Sequence, residues 1–231
     1  MTASPDDGAA TRPLRVFLVD DQQLVRAGFR MLVESQPDMD VVGEAADGLE
    51  AVERLSVTGA DVVLMDVRMP RLDGVAATRV LTERGTAARI VVLTTFDLDE
   101  YVYSGLRAGA SAFLLKDAPP EVLLSAIRDV HRGEAVVAPS ATRRMLERFA
   151  DHLPDGEAVP DPRLESLTER EQEVLLLVAQ GLTNTEIATR LVVAEPTVKT
   201  HIGRLLSKTG SRDRVQLVVL AYDTGLVRPA T

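Results

Sequence analysis

An acidic pair, Asp20-Asp21, follows the apolar run Leu14-Arg15-Val16-Phe17-Leu18-Val19, and Asp66 follows Val62-Val63-Leu64-Met65. Two further apolar runs end in other polar groups: Ile90-Val91-Val92-Leu93 in Thr94-Thr95, and Ala112-Phe113-Leu114-Leu115 in Lys116-Asp117. Each run is short, rich in branched residues and bounded by turn formers, the pattern of a strand buried on both faces of a parallel sheet. Ligands bind such sheets at the carboxyl ends of the strands, and an unpaired carboxylate inside a strand would be too costly to keep. An aspartate after a strand also reads as the first residue of a turn. Four strands that bring carboxylates, a hydroxyl and an ammonium group to one edge make a site the better reading, with Asp66 at its centre.

The elements that must position these groups alternate. Strands are predicted near 14–19, 40–45, 61–65, 89–94 and 111–115, and helices near 22–35, 48–57, 74–84, 98–108 and, after Pro119-Pro120, 120–132. Such alternation implies an α/β doubly wound, five-stranded parallel sheet with right-handed crossovers, one domain over 14–133 behind a disordered tail, 1–13. Met145, Leu146, Phe149 and Leu153 recur at helical spacing, so a connecting helix is expected from Ser140 to His152. Residues 154–162 are rich in prolines and acids and read as an exposed linker, so that 134–163 joins two domains.

From 164 to 228 the pattern is all helical. Thr168-Glu169-Arg170-Glu171 and Thr183-Asn184-Thr185-Glu186 fit capping boxes, each opening a helix, and Gly181 is placed to end the first. A short helix at 183–190, a turn through Val192 to Ala194 and a third helix from Glu195-Pro196 to Lys208 make a helix-turn-helix, followed by a fourth helix at 213–223. Val198, Ile202, Leu205 and Leu206 share the inward face of the third helix, leaving Lys199, Thr200, Gly203 and Ser207 outward as the candidate DNA reader. Val215, Leu217, Val218 and Leu220 of the last helix combine core and dimer positions that spacing alone does not separate.

Charge divides the chain in the same place. Residues 1–164 hold 18 Lys+Arg against 27 Asp+Glu, a net −9, whereas residues 165–231 hold 8 of each. An acidic whole argues against indiscriminate nucleic-acid binding, but Lys199, Arg204, Lys208, Arg212 and Arg214 cluster within sixteen residues against Asp213 alone. The absence of cysteine excludes disulfides and cysteine-ligated zinc, and His131, His152 and His201 are too far apart in sequence for a local metal motif. No apolar run approaches the ~18 residues of a membrane span, and a cytoplasmic protein is expected.

Asp20-Asp21, Met65-Asp66-Val67-Arg68-Met69-Pro70, Asp73-Gly74, Thr94 and Lys116, taken with Leu167-Thr168-Glu169-Arg170-Glu171, Gly181-Leu182-Thr183-Asn184, Glu186-Ile187-Ala188 and Thr197-Val198-Lys199-Thr200-His201, form an ordered set. In that set the chain resembles the response regulators of bacterial two-component systems, in the NarL/FixJ subfamily: a flavodoxin-like receiver followed by a LuxR-type helix-turn-helix. The resemblance implies that Asp66 takes a phosphoryl group from a sensor histidine kinase, forming an acyl phosphate. It implies Mg2+ held by Asp21, Asp66 and the backbone carbonyl of Arg68, with Asp20 acting through water. It gives Lys116 and Thr94 the phosphoryl oxygens, and Phe113, where many relatives carry tyrosine, an aromatic switch in place of a merely core ring. It places Thr197, Lys199, Thr200, His201 and Gly203 toward the major groove, with Arg204, Lys208 and Arg212 nearer phosphates. Gly203 departs from the longer polar residue common there, and close approach to DNA would compensate for a glycine inside a helix. A homodimer on double-stranded DNA with paired half-sites is expected, promoted by phosphorylation, with the receiver masking the recognition helix until then.

Two other classes compete. A phosphotransferase of the haloacid-dehalogenase type also uses a strand-end aspartate with Mg2+, but needs a second acid two residues on, where this chain has Arg68. A DNA-binding regulator whose first domain answers a partner or a small ligand instead of a phosphoryl group leaves Asp20, Asp21, Asp66, Thr94 and Lys116 unexplained as a set. No enzyme is expected.

Overall fold

The computed structural model describes residues 12–94, 104–133 and 161–227. Strands β1 (Leu14–Val19), β2 (Met39–Ala45), β3 (Val62–Asp66), β4 (Arg89–Thr94) and β5 (Ala112–Leu115) form one parallel sheet in the order β2-β1-β3-β4-β5. Their apolar runs are continuous because both faces are covered. Phe17, Val63, Met65, Ile90 and Val92 pack under α2 (Gly48–Leu55) and α3 (Gly74–Glu83), while Val16, Leu18, Val62, Leu64, Val91 and Leu93 pack under α1 (Gln23–Glu34) and α4 (Pro120–His131). Each such aliphatic side chain taken from water contributes about 1.5–3 kcal/mol, less the entropy of ordering it. The chain order reverses between β1 and β3, and Asp20 and Asp66 stand at the carboxyl ends of those two strands, at the sheet's topological switch point.

The helix expected at 98–108 is described only from 104, with 104–107 helical; its first part, the connecting helix at 140–152 and most of the tail and linker lie outside the described residues.

The helical domain comprises α5 (Pro162–Glu165), α6 (Glu169–Ala179), α7 (Asn184–Leu191), α8 (Glu195–Thr209) and α9 (Arg214–Asp223). Both expected capping boxes form: Thr168 with Glu171 opens α6, and Thr183 with Glu186 opens α7. Val192 ends α7 in the left-handed region at φ 54°, a conformation unusual for a branched residue, and so makes the tight turn into α8. Val174, Leu175, Val178, Ile187, Val198 and Leu205 form the centre of this domain's core.

α9 belongs to both domains. Leu217, Val218, Ala221 and Tyr222 face the helical core, whereas Val215 and Val219 join the core of the sheet domain. Polar contacts border that seam. The Arg212 guanidinium donates to the carbonyls of Thr86 at 2.8 Å and Ala88 at 2.5 Å, and the Gln216 amide donates to those of Leu106 and Ala110, each at 2.9 Å. Asp213 approaches Arg89 at 3.7 Å, and Asp223 approaches Arg107 at 3.4 Å. In this arrangement the sheet domain covers α9, not α8, and the Arg212 guanidinium is engaged by carbonyls of the sheet domain. The physical reason lies in α9, whose second apolar stripe must be covered; the outward face of α8 is polar and remains in water.

Candidate functional site

Asp20 and Asp66 are buried at the carboxyl edge of the sheet, while Asp21 is exposed beside them. Carboxylate oxygens of the three lie within 4.8 Å of one another. Lys116, just after β5, reaches across the edge, its Nζ 2.7 Å from Asp20 Oδ2 and 2.9 Å from Asp66 Oδ2. Burial pushes the Asp66 carboxyl above its ordinary range, against the opposing pull of the Lys116 ammonium. Burial alone would lower the Lys116 pKa, but its hydrogen bonds to Asp20 and Asp66 outweigh that and raise it, so the ammonium stays charged. The donor set of three convergent carboxylates suits a hard, oxygen-seeking divalent cation, which would relieve their mutual repulsion.

The backbone holds these groups tightly. The Gln22 N–H donates to Asp20 Oδ1 at 2.9 Å, and the Arg26 guanidinium donates to the Asp20 carbonyl at 2.6 Å. The Arg68 N–H donates to the Asp66 carboxylate. Gly74 must be glycine, because a Cβ there would lie 1.9 Å from the Asp66 carbonyl oxygen. Thr94 is buried at the end of β4, and its carbonyl accepts from the Lys116 N–H at 2.7 Å. Phe113 is partly buried and packs against the core beneath α2 and α3, opposite Val92 in the β4–β5 register. The edge therefore brings Asp20, Asp21, Asp66, Thr94 and Lys116 together, as the spacing requires.

The second site is the outer face of α8. Val198, Ile202 and Leu205 are buried, while Thr197, Lys199, Thr200, Gly203 and Arg204 are exposed. The Thr200 hydroxyl donates to the Pro196 carbonyl at 3.0 Å, and Lys199 lies 3.5 Å from Glu195 in an exposed and therefore weak pair. Open space surrounds Gly203. His201 is half-buried, with its Nδ1 turned inward. Lys208 is committed elsewhere: its Nζ lies 2.7 Å from the buried Glu171 carboxylate and 3.2 Å from the Ser166 carbonyl. With the Thr168 N–H as a second donor, Lys208 holds Glu171 down at about 2.

Arg214, counted above only as part of a basic cluster, is buried and donates to the Leu182 carbonyl and to Asn184 Oδ1 at the start of α7, burial bringing its pKa down to about 10. Its partners lie about thirty residues upstream, so no local spacing announces the contact.

Residues 16–128 match the response regulator receiver domain, and residues 165–221 match the luxR family of bacterial regulatory proteins. The chain is 46% identical over 217 residues to YxjL, an uncharacterized transcriptional regulatory protein of Bacillus subtilis, a match spanning 93% of this chain and 98% of the relative. The chain belongs to the two-component response regulators. This response regulator is also 40% identical over 215 residues to the transcriptional regulatory protein LiaR of Bacillus subtilis, covering 93% of this chain and 99% of that one. The crystal structure of response regulator ChrA, from a heme-sensing two-component system, aligns with a TM-score of 0.50 and 34% identity over 94% of this chain and 100% of the other. The response regulator thus pairs a receiver with a LuxR-type DNA-binding domain, and is a transcriptional regulator, not an enzyme. Among its described residues, no helix is long and apolar enough to cross a membrane.

Proposed function

We propose that this response regulator is switched by phosphorylation of Asp66 and binds operator DNA as a homodimer. The observation that carries the reading is the Lys116 ammonium held between buried Asp20 and Asp66, with Asp21 alongside. An Asp66 carboxylate oxygen attacks the phosphorus of a phosphohistidine on a sensor histidine kinase; the P–O bond forms as the P–N bond breaks, and the imidazole leaves. Asp21, Asp66 and the Arg68 carbonyl would hold Mg2+, with Asp20 acting through water; when bound, the ion neutralises charge on the phosphoryl oxygens. Lys116 exchanges its bond to Asp66 for one to the phosphoryl group, and the Thr94 hydroxyl turns to donate to the same group. Phe113 follows Thr94 inward.

The output face is α8. Lys199 and Thr200, with Thr197, His201 and Gly203 beside them, are directed at base edges, and Arg204 at phosphate. Lys208 reaches a phosphate only by leaving Glu171, and Arg212 only by leaving the receiver. Pairing of two DNA-binding domains through Val215 and Val219 requires the receiver to release them, so phosphorylation acts on exposure of α9 and leaves α8 accessible throughout.

Intact mass after incubation with a small phosphodonor and Mg2+ tests the chemistry. Wild type gains one phosphoryl group and Asp66→Asn gains none. Equal addition to both would remove Asp66 from the role, and no addition to wild type from either the donor or its kinase would remove the phosphoryl reading.

A further inference from the structure

Between β3 and α3 the chain takes a loop, 67–73, that contains a left-handed residue which is not glycine: Arg71, at φ 65°. Side chains seldom accept that region without compensation. The compensation here is a buried partner. The Arg71 guanidinium pairs with Asp47, which is 2% exposed and also caps α2 by accepting from the N–H groups of Leu49 and Glu50. Beside it the Gly48 N–H donates to the Leu72 carbonyl at 3.0 Å, and a Cβ on Gly48 would lie 2.5 Å from that oxygen. At its other end the loop returns to the site, where the Gly74 N–H donates to the Val67 carbonyl at 2.8 Å and the Arg68 N–H donates to the Asp66 carboxylate.

We infer that Arg71 and Asp47 are positioning residues for the acidic site: their ion pair anchors the loop to α2, and the loop in turn sets the Arg68 backbone and the orientation of the Asp66 carboxylate. Neither side chain touches the reacting group. The inference rests on the proposed role of Asp66, but its geometric part stands apart from phosphorylation and from metal binding.

Three variants of the full chain test it. Arg71→Gly removes the guanidinium while keeping the φ, Asp47→Asn keeps a good cap while removing the charge, and Arg71→Lys retains a cation. The first readout is hydrogen exchange at the Arg68 amide without Mg2+. It accelerates in Arg71→Gly and Asp47→Asn and returns toward wild type in Arg71→Lys. The second is Mg2+ affinity by calorimetry, which weakens by about tenfold in the same two variants, as for other supporting contacts around a metal site. Wild-type exchange at Arg68 in Arg71→Gly and Asp47→Asn would overturn the inference. A wild type that binds no Mg2+ would count against the metal reading alone, and the Arg68 exchange would still decide the role of the pair.

Discussion

Arg212→Ala tests the coupling between the two domains most directly. The guanidinium makes two close hydrogen bonds to receiver carbonyls, at 2.8 and 2.5 Å, and a longer one of 3.4 Å to Thr82 Oγ1. Bonds to a charged donor contribute about 1.5–3 kcal/mol each. Against this stands the cost of taking the guanidinium out of water, which lowers its pKa and cancels part of the gain. On separation water satisfies the freed carbonyls, so the net loss is about one such bond at the low end, ~1.5 kcal/mol, or about a tenfold rise in the population with α9 released. Hydrogen exchange at the α9 amides of the unphosphorylated protein should accelerate by about that factor, and sedimentation should show a comparably tighter monomer–dimer equilibrium. Gln216→Ala, which removes the bonds to Leu106 and Ala110, should act in the same direction. If Arg212→Ala lowers the melting temperature of the DNA-binding domain but leaves α9 exchange and self-association unchanged, the contact is only structural and the coupling argument fails.

Other perturbations address single groups. Glu171 has a folded pKa of about 2 against an ordinary 4.5, so its stabilisation is fully present above pH 4.5 and is lost as pH falls through about 2. With Lys208 half-exposed, the contribution is about 2 kcal/mol after allowance for screening. The stability gap between wild type and Glu171→Gln, followed by denaturant titration, should therefore close across that acid window; a pH-independent gap would assign the loss to packing. Lys199→Ala should flatten discrimination among operator sequences, whereas Arg204→Ala should weaken all of them together and reduce the salt slope by about one, measured by fluorescence anisotropy. Val192→Gly should raise the melting temperature, since the left-handed turn costs an L residue about 1–2 kcal/mol; a lower melting point would show that the exposed valine is held by contacts.

Sequence was enough for the sheet edge because each of its groups is announced locally. Asp20, Asp66, Thr94 and Lys116 directly follow or end apolar runs, and in a parallel sheet all such ends lie on one side. The capping boxes at Thr168 and Thr183 and the inward set Val198, Ile202 and Leu205 were legible for the same reason, being patterns within one helix. Lys116 between Asp20 and Asp66 depends on strand order, which alternation alone does not fix and the structure gives as β2-β1-β3-β4-β5. Contacts set by packing alone were not legible. Val215 and Val219 differ from Leu217 and Val218 only in which domain they meet, and Arg212 and Lys208 look like any basic residue near a DNA-reading helix. Their partners, the Thr86 and Ala88 carbonyls and Glu171, lie 37 to 126 residues away. Local periodicity thus determined which side chains could do chemistry. Only the tertiary structure decided which cations were already engaged, because that depends on buried carbonyls and carboxylates to which no sequence spacing points.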